Sequence, residues 1–212
     1  MTTEAKQRED IVELGQLLAH LGLSHGSTGN ISVRLDDGWL LTPTNSRLGK
    51  LDPATIAKLD HDGRHLAGHK PSKEAFLHRC VYDERPDAGA IVHLHSTHSV
   101  AVSCMDGLDE QNCLPPLTAY YVMRVGKLPL VPYYPPGDER LATAVRDLAA
   151  RHASVLLANH GPVVAGKTLD GAAGAIEELE ATAKLYLLLR DHKTKPLTPE
   201  AIDELNQLFP GG

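Results

Sequence analysis

The sequence is poor in cysteine: Cys80, Cys104 and Cys113 are the three it holds in 212 residues. The number is odd and no Cys-x-x-Cys pair occurs, which argues against a disulfide framework and fits a reducing compartment. No apolar run approaches the roughly 18 residues that a membrane span needs. Residues 1–10 are polar and charged, with no secretory apolar core among them. A basic surplus is missing too. The formal net charge is -6, so nothing draws the whole chain to nucleic acid or to an anionic membrane surface. A small anionic ligand would need a local cationic site. These absences lead us to expect a cytoplasmic protein with no nucleic-acid and no membrane partner. Internal repeats, low-complexity tracts and interdomain linkers are also lacking. Residues 1–212 therefore read as one domain, long enough to bury a full core.

What the chain does hold, in quantity, is histidine: 12 residues. Histidine is the commonest metal ligand and a frequent acid or base, so the positions matter more than the number. The local pattern places them. Ile11, Leu14, Leu17, Leu18 and Leu21 form a helical stripe over 5–21, ended by Gly22. Ile31, Val33 and Leu35 alternate as a strand, Asp37-Gly38 turns the chain, and 39–42 returns. Asp52 caps a short helix opened by Pro53. A strand over 58–60 precedes a second hairpin turn at Asp62-Gly63. Pro71-Ser72 opens a helix to about residue 83, with Phe76 and Cys80 on one face.

Further on, 90–95 reads as a buried strand, 97–105 as helix, 139–151 as helix, and 154–158 and 162–165 as strands. Residues 168–190 form a long helix, and Thr198-Pro199 begins a terminal one. Residues 115–138, rich in Pro, Gly and Tyr, resist assignment. The irregular alternation with two hairpins predicts a mixed or mostly antiparallel sheet covered by helices.

His93-Leu94-His95 lies on the strand over 90–95. Alternate strand residues share a face, so the two imidazoles make a bidentate metal platform. A catalytic divalent site usually takes three protein ligands and keeps an open position. His160 is the best third ligand, because it follows the strand over 154–158 and Gly161 lets the backbone turn close by. The bland alternative is a set of hydrogen-bonded core histidines. A competing reading takes His93, His95 and His98 as the H-x-H-x-D-H run of metallo-β-lactamase-type hydrolases, but Thr97 stands where that run has Asp. His98 could equally stand behind the ligands or face the substrate.

Glu74 sits in Lys70-Pro71-Ser72-Lys73-Glu74, at the expected helix start. Helix N-termini attract anions, and Ser72 and Lys73 add a hydroxyl and a cation. Taken alone, Glu74 equally fits a carboxylate complementing the helix dipole. Ser27-Thr28-Gly29-Asn30 and Thr42-Pro43-Thr44-Asn45 have the same anion-cradling chemistry, although such clusters are often ordinary turns. Three such loops beside a three-histidine set make the stronger case.

In this order, Thr28-Gly29-Asn30, Thr42-Pro43-Thr44, Pro71-Ser72-Lys73-Glu74, His93-Leu94-His95 and Asn159-His160-Gly161 resemble the class II aldolase/adducin family. That family includes fuculose-phosphate aldolase and ribulose-phosphate 4-epimerase. The landmarks span about 17–189, nearly the whole chain. The resemblance implies an α/β fold, three-layer α/β/α around a central, mostly antiparallel sheet, and a homotetramer with active sites at subunit interfaces. It implies zinc, or manganese or cobalt in its place, on His93, His95 and His160, with Glu74 as the catalytic acid/base. Thr28, Gly29, Asn30, Thr44, Asn45, Ser72 and Lys73 would bind the substrate and its phosphate. Tyr133 resembles the tyrosine that reaches a neighbouring subunit's site and is a second catalytic candidate.

Two positions depart from the aldolases, which have Gly in place of Asn45 and Ser in place of Lys73. The stretches 70–78 and 114–138 are most similar to the 3-oxo-tetronate 4-phosphate decarboxylase branch. The implied activity is thus a lyase reaction giving dihydroxyacetone phosphate and CO2 through a metal-bound enediolate. A sugar-phosphate aldolase is the rival, a pentulose-phosphate 4-epimerase less so, and a non-enzymatic adducin-like module least.

Overall fold

The computed structural model describes residues 3–135 and 138–209. The elements, in chain order, are α1 (Glu4–His20), β1 (Asn30–Leu35), β2 (Gly38–Leu41), β3 (Ala57–Leu59), β4 (His65–Ala67) and α2 (Ala75–Glu84). There follow β5 (Ala90–His93), α3 (Thr97–Ser103), α4 (Ala119–Arg124), β6 (Leu130–Val131), α5 (Glu139–Ala149), β7 (Ser154–Leu157), β8 (Gly161–Gly166), α6 (Leu169–Leu189) and α7 (Pro199–Leu208). The strands form a single sheet in the order β4-β3-β2-β1-β5-β8-β7-β6. All its pairings are antiparallel except that of β6 with β7. Among the described residues no helix is long and apolar enough to cross a membrane.

Strand alternation divides the core into two layers. Ile31, Val33, Leu40, Ala90, Val92, Leu156 and Val164 join α1, α4 and α6 on one face. Trp39, Leu41, Ile91, Val155, Leu157, Val163 and Ala165 join α2 and α5 on the other. The result is helix–sheet–helix layering, as the mixed pattern of hairpins and helices predicts. Each fully buried Val, Leu or Ile contributes roughly 1.5–3 kcal/mol relative to exposure, which pins the register of the buried strands.

Two local expectations need correction. The helix expected from Pro71-Ser72 begins only at Ala75. Pro71 bridges Pro43, the Ser72 N–H donates to the Thr42 carbonyl, and the Thr44 N–H donates to the Lys70 carbonyl. These bonds hold 70–72 extended against 42–44, so the chain can turn into helix only after Glu74. The strand expected over 90–95 ends at His93. Alternation nevertheless continues past the ladder, since Leu94 is fully buried in the α1/α6 layer with Val92. Elsewhere helical caps appear where the sequence places them: Asp52 accepts the Ala54 N–H, in a 3-10 turn over Pro53–Thr55, and Thr198 accepts the Ala201 N–H. The unassigned stretch 115–138 contributes α4 and β6. All three cysteines are free.

Candidate metal centre

Asn30 opens β1, and its register partner across the ladder is His93, the last residue of β5. By parity both side chains face the α2 layer. One strand further, His93 is paired with Val163 of β8, and the β7–β8 turn brings His160 to the same end of the sheet. That turn is tight. Asn159 is left-handed at φ 56°, and Gly161 has φ 154°. A Cβ on Gly161 would lie 2.3 Å from the Leu94 carbonyl oxygen, so only glycine lets the turn close over the His93–His95 segment. Gly29 meets the same segment from β1, with φ 80° and room for no Cβ beside the His93 carbonyl.

Here the three rings converge. His95 Nε2 lies 3.1 Å from both His93 Nε2 and His160 Nε2. The ring centroids are 4.6–4.9 Å apart and the planes steeply inclined. Glu74, at the N-cap of α2, brings Oε1 to 3.1 Å from His160 Nε2 and Oε2 to 3.5 Å from His93 Nε2. The four residues offer ligand atoms all within 4.8 Å of one another.

This donor set fits a divalent cation. Ligand nitrogens of a tetrahedral zinc, with bonds of roughly 2.0–2.1 Å, stand about 3.3 Å apart, close to the spacing here. His93 Nδ1–H donates to the Pro162 carbonyl at 2.8 Å, which leaves Nε2 with a lone pair aimed at its neighbours. Protons cannot satisfy the cluster evenly. Burial, reinforced by the His93 and His160 rings, pushes His95 down to about 3. Burial also opposes a charge on His93, but the Glu74 carboxylate outweighs it and holds that ring above its usual value. Burial would raise the Glu74 carboxyl, yet His93 and His160 draw it far below the usual carboxylate range. Three imidazoles with one shared focus, beside an ionised carboxylate, fit a catalytic divalent site.

The centre opens onto a cavity of about 360 Å³. Thr28, Gly29, Asn30, Thr44, Asn45, Ser72 and Lys73 line it, together with Glu74, His95 and His160. Three loops far apart in sequence thus meet around one space. Asn45 has φ 57°. Asparagine is the residue that best tolerates this left-handed backbone in place of glycine. Tyr133 lies outside the cavity, just beyond β6, and is 60% exposed. His98 does not join the other rings. Its Nδ1 and backbone N–H both bond Glu180 of α6, so the metallo-β-lactamase reading of His93, His95 and His98 is set aside. A larger groove of about 890 Å³, near α1 and α6, has no histidine in its lining.

The sequence reading missed His78, Ser32 and Tyr82, which stand behind Asn30 in the α2 layer. The signal was faint. His78 is four residues past Glu74, and Ser32 is two past Asn30 on the same strand face.

Residues 9–187 match the model of the class II aldolase and adducin N-terminal domain. The chain is 50% identical to a 3-oxo-tetronate 4-phosphate decarboxylase of Pectobacterium atrosepticum, over 97% of this chain and 95% of that one. It is 34% identical to an L-fuculose phosphate aldolase of Haemophilus influenzae, covering 87% and 84%. The crystal structure of YgbL from Escherichia coli superposes with a TM-score of 0.94 at 47% identity, covering 96% of this chain and 99% of that one. The chain belongs to the class II aldolase and adducin family.

Proposed function

We propose that the protein is a metal-dependent carbon–carbon lyase that decarboxylates 3-oxo-tetronate 4-phosphate to dihydroxyacetone phosphate and CO2. The observation that carries the reading is the convergence of His93, His95, His160 and Glu74 at the edge of a cavity lined by three anion-cradling loops. Relatives at about half identity over nearly the whole chain bear that name, which supports the choice of substrate.

His93, His95 and His160 would hold the ion, zinc by preference, with manganese or cobalt as alternatives. When bound, it supplies Lewis acidity to the substrate oxygens on which negative charge develops. The substrate is a β-keto acid. Its C1–C2 bond breaks, the electron pair passes into the C3 carbonyl, and CO2 departs. Glu74, ionised at rest, takes a proton from solvent and passes it to C2 of the resulting enediolate, which returns it to the carboxylate form. Thr28, Gly29, Asn30, Thr44, Asn45 and Ser72 bind the phosphate end, and Lys73 supplies the cation that pairs with phosphate or carboxylate. Tyr133 is exposed outside its own cavity. That position supports a homotetramer in which it reaches a neighbouring subunit's site as a second proton donor.

Incubation with 3-oxo-tetronate 4-phosphate, with dihydroxyacetone phosphate read by a coupled reductase, tests the reading. The aldolase alternative has its own support in the 34% identical fuculose-phosphate enzyme, because the same enediolate forms when an aldehyde leaves. Product from dihydroxyacetone phosphate and an aldehyde, without any decarboxylation, would decide for it.

A further inference from the structure

Behind Glu74 runs a line of buried polar groups in a layer otherwise built from Trp, Leu, Ile and Val. Asn30 Nδ2 donates to Glu74 Oε2 at 2.6 Å and approaches Ser72 Oγ at 3.2 Å. On its other side Asn30 Oδ1 meets His78 Nε2. His78 Nδ1 lies 2.6 Å from Ser32 Oγ, which lies 2.8 Å from the Tyr82 hydroxyl. Asn30, Ser32, His78 and Tyr82 are each at least nine-tenths buried. Arg34 lies 4.4 Å over the Tyr82 ring and donates to the Tyr82, Arg85 and Ala88 carbonyls, so the far end of the line is anchored.

We propose that His78, Ser32 and Tyr82 are positioning residues, a one-directional hydrogen-bond relay that fixes the Asn30 amide and, through it, the carboxylate of Glu74. The direction follows from what each atom can do. A carboxylate accepts only, so the Asn30 amide must turn its NH2 to Glu74. Its oxygen then faces His78 and accepts from Nε2–H. A neutral imidazole has one N–H, so His78 Nδ1 is an acceptor and the Ser32 hydroxyl must donate to it. The remaining lone pairs of Ser32 Oγ take the Tyr82 proton. Reversing any member would set oxygen against oxygen or hydrogen against hydrogen in a space closed to solvent. Burial pushes His78 down to about 3, which keeps the ring neutral.

Stability alone does not explain the relay. Burying four polar side chains between sheet and helix gains little over apolar residues of the same size, even when all are paired. What the relay adds is orientation. Without it Asn30 Oδ1 is a buried acceptor with no donor, the amide is free to flip, and Glu74 loses the contact that aims Oε2. The inference rests on Glu74 being the proton carrier, and the first test below does not.

Enzyme labelled with 15N-histidine, with His78 assigned by the signal lost in His78→Gln, should show His78 as the neutral Nε2–H tautomer throughout the neutral range. An Nδ1–H tautomer or an imidazolium there overturns the relay, whatever the enzyme acts on. In turnover, His78→Leu should lower kcat about 10- to 100-fold while KM moves less than about 3-fold, the split expected of a lost transition-state interaction. His78→Gln, whose amide nitrogen reaches the Nε2 position, should recover most of that loss. In an Asn30→Ala background His78→Leu should cost little more, because the two act as a unit. Equal losses with and without Asn30 would overturn the proposal. Should His78→Leu not fold, Ser32→Ala replaces it, with mixed His78 tautomers and a similar fall in kcat expected. If wild-type enzyme does not turn over the phosphorylated acid, the activity reading fails while the tautomer still decides the relay.

Discussion

Glu74 Oε1 stands 3.1 Å from His160 Nε2, and Oε2 of the same carboxylate takes the Asn30 amide at 2.6 Å. Both carboxylate oxygens thus face the histidine cluster, and Oε2 also takes a neutral donor. A carboxylate held this way has its charge stabilised, and it sits at the wall of the cavity where a substrate carbon must receive a proton.

Replacing it by its amide tests that role. Glu74→Gln keeps the shape and removes the ionisable proton, and turnover should fall roughly 10²-fold or more. The three imidazoles remain, so metal content, read by inductively coupled plasma mass spectrometry, should stay at the wild-type level. Near-normal turnover would exclude Glu74 as the acid.

Gly161→Ala should loosen the centre. The added methyl would lie 2.3 Å from the Leu94 carbonyl oxygen at a φ that side chains avoid. We expect a loss of about 1–3 kcal/mol of stability and reduced metal occupancy, because His160 cannot keep its place. Chemical denaturation with and without added metal measures both.

Chelation should lower the melting temperature and abolish turnover. An ion bound only by the folded state stabilises it by mass action, about 2.7 kcal/mol at a hundred times its Kd. Restoration by zinc, manganese or cobalt, compared at equal free concentration, ranks the candidates. A melting temperature indifferent to chelator and to each ion would remove the metal centre from the account.

His78 gives a pH dependence whose sign can be worked out. Its value is about 3 folded and about 6.5 unfolded. Between these values the unfolded chain binds a proton that the folded chain refuses, so stability falls as pH drops below 6.5. By pH 5 the loss from this ring is roughly 2 kcal/mol. His78→Gln lacks the group and should lose about that much less than wild type between pH 7.5 and 5, as read by urea unfolding at the two values.

Much of the fold is legible in the sequence. Apolar periodicity placed α1, α6 and the buried strands to within a few residues, because burial on one face leaves a period that survives in one dimension. The loops that line the cavity stand out by residue type. Taken locally, Pro71-Ser72 is an ordinary helix opening, yet α2 starts at Ala75. What delays the helix is pairing with Pro43 and Thr42, a contact that no local pattern encodes. His98 was ambiguous for the same reason, since Glu180, its partner, is on α6.

Local pattern alone is enough to predict helices layered on a mostly antiparallel sheet and a histidine set able to take a cation, and the order of the motifs carries the resemblance to the family. The folded chain sets the distances at which His93, His95 and His160 meet and turns His98 away to Glu180. It also decides that Glu74 closes the cluster, and that Tyr82, Ser32 and His78 line up behind Asn30. The reason is physical: a hydrogen bond or a ligand bond forms over about 3 Å of space, and the distance between its partners along the chain sets no limit on it.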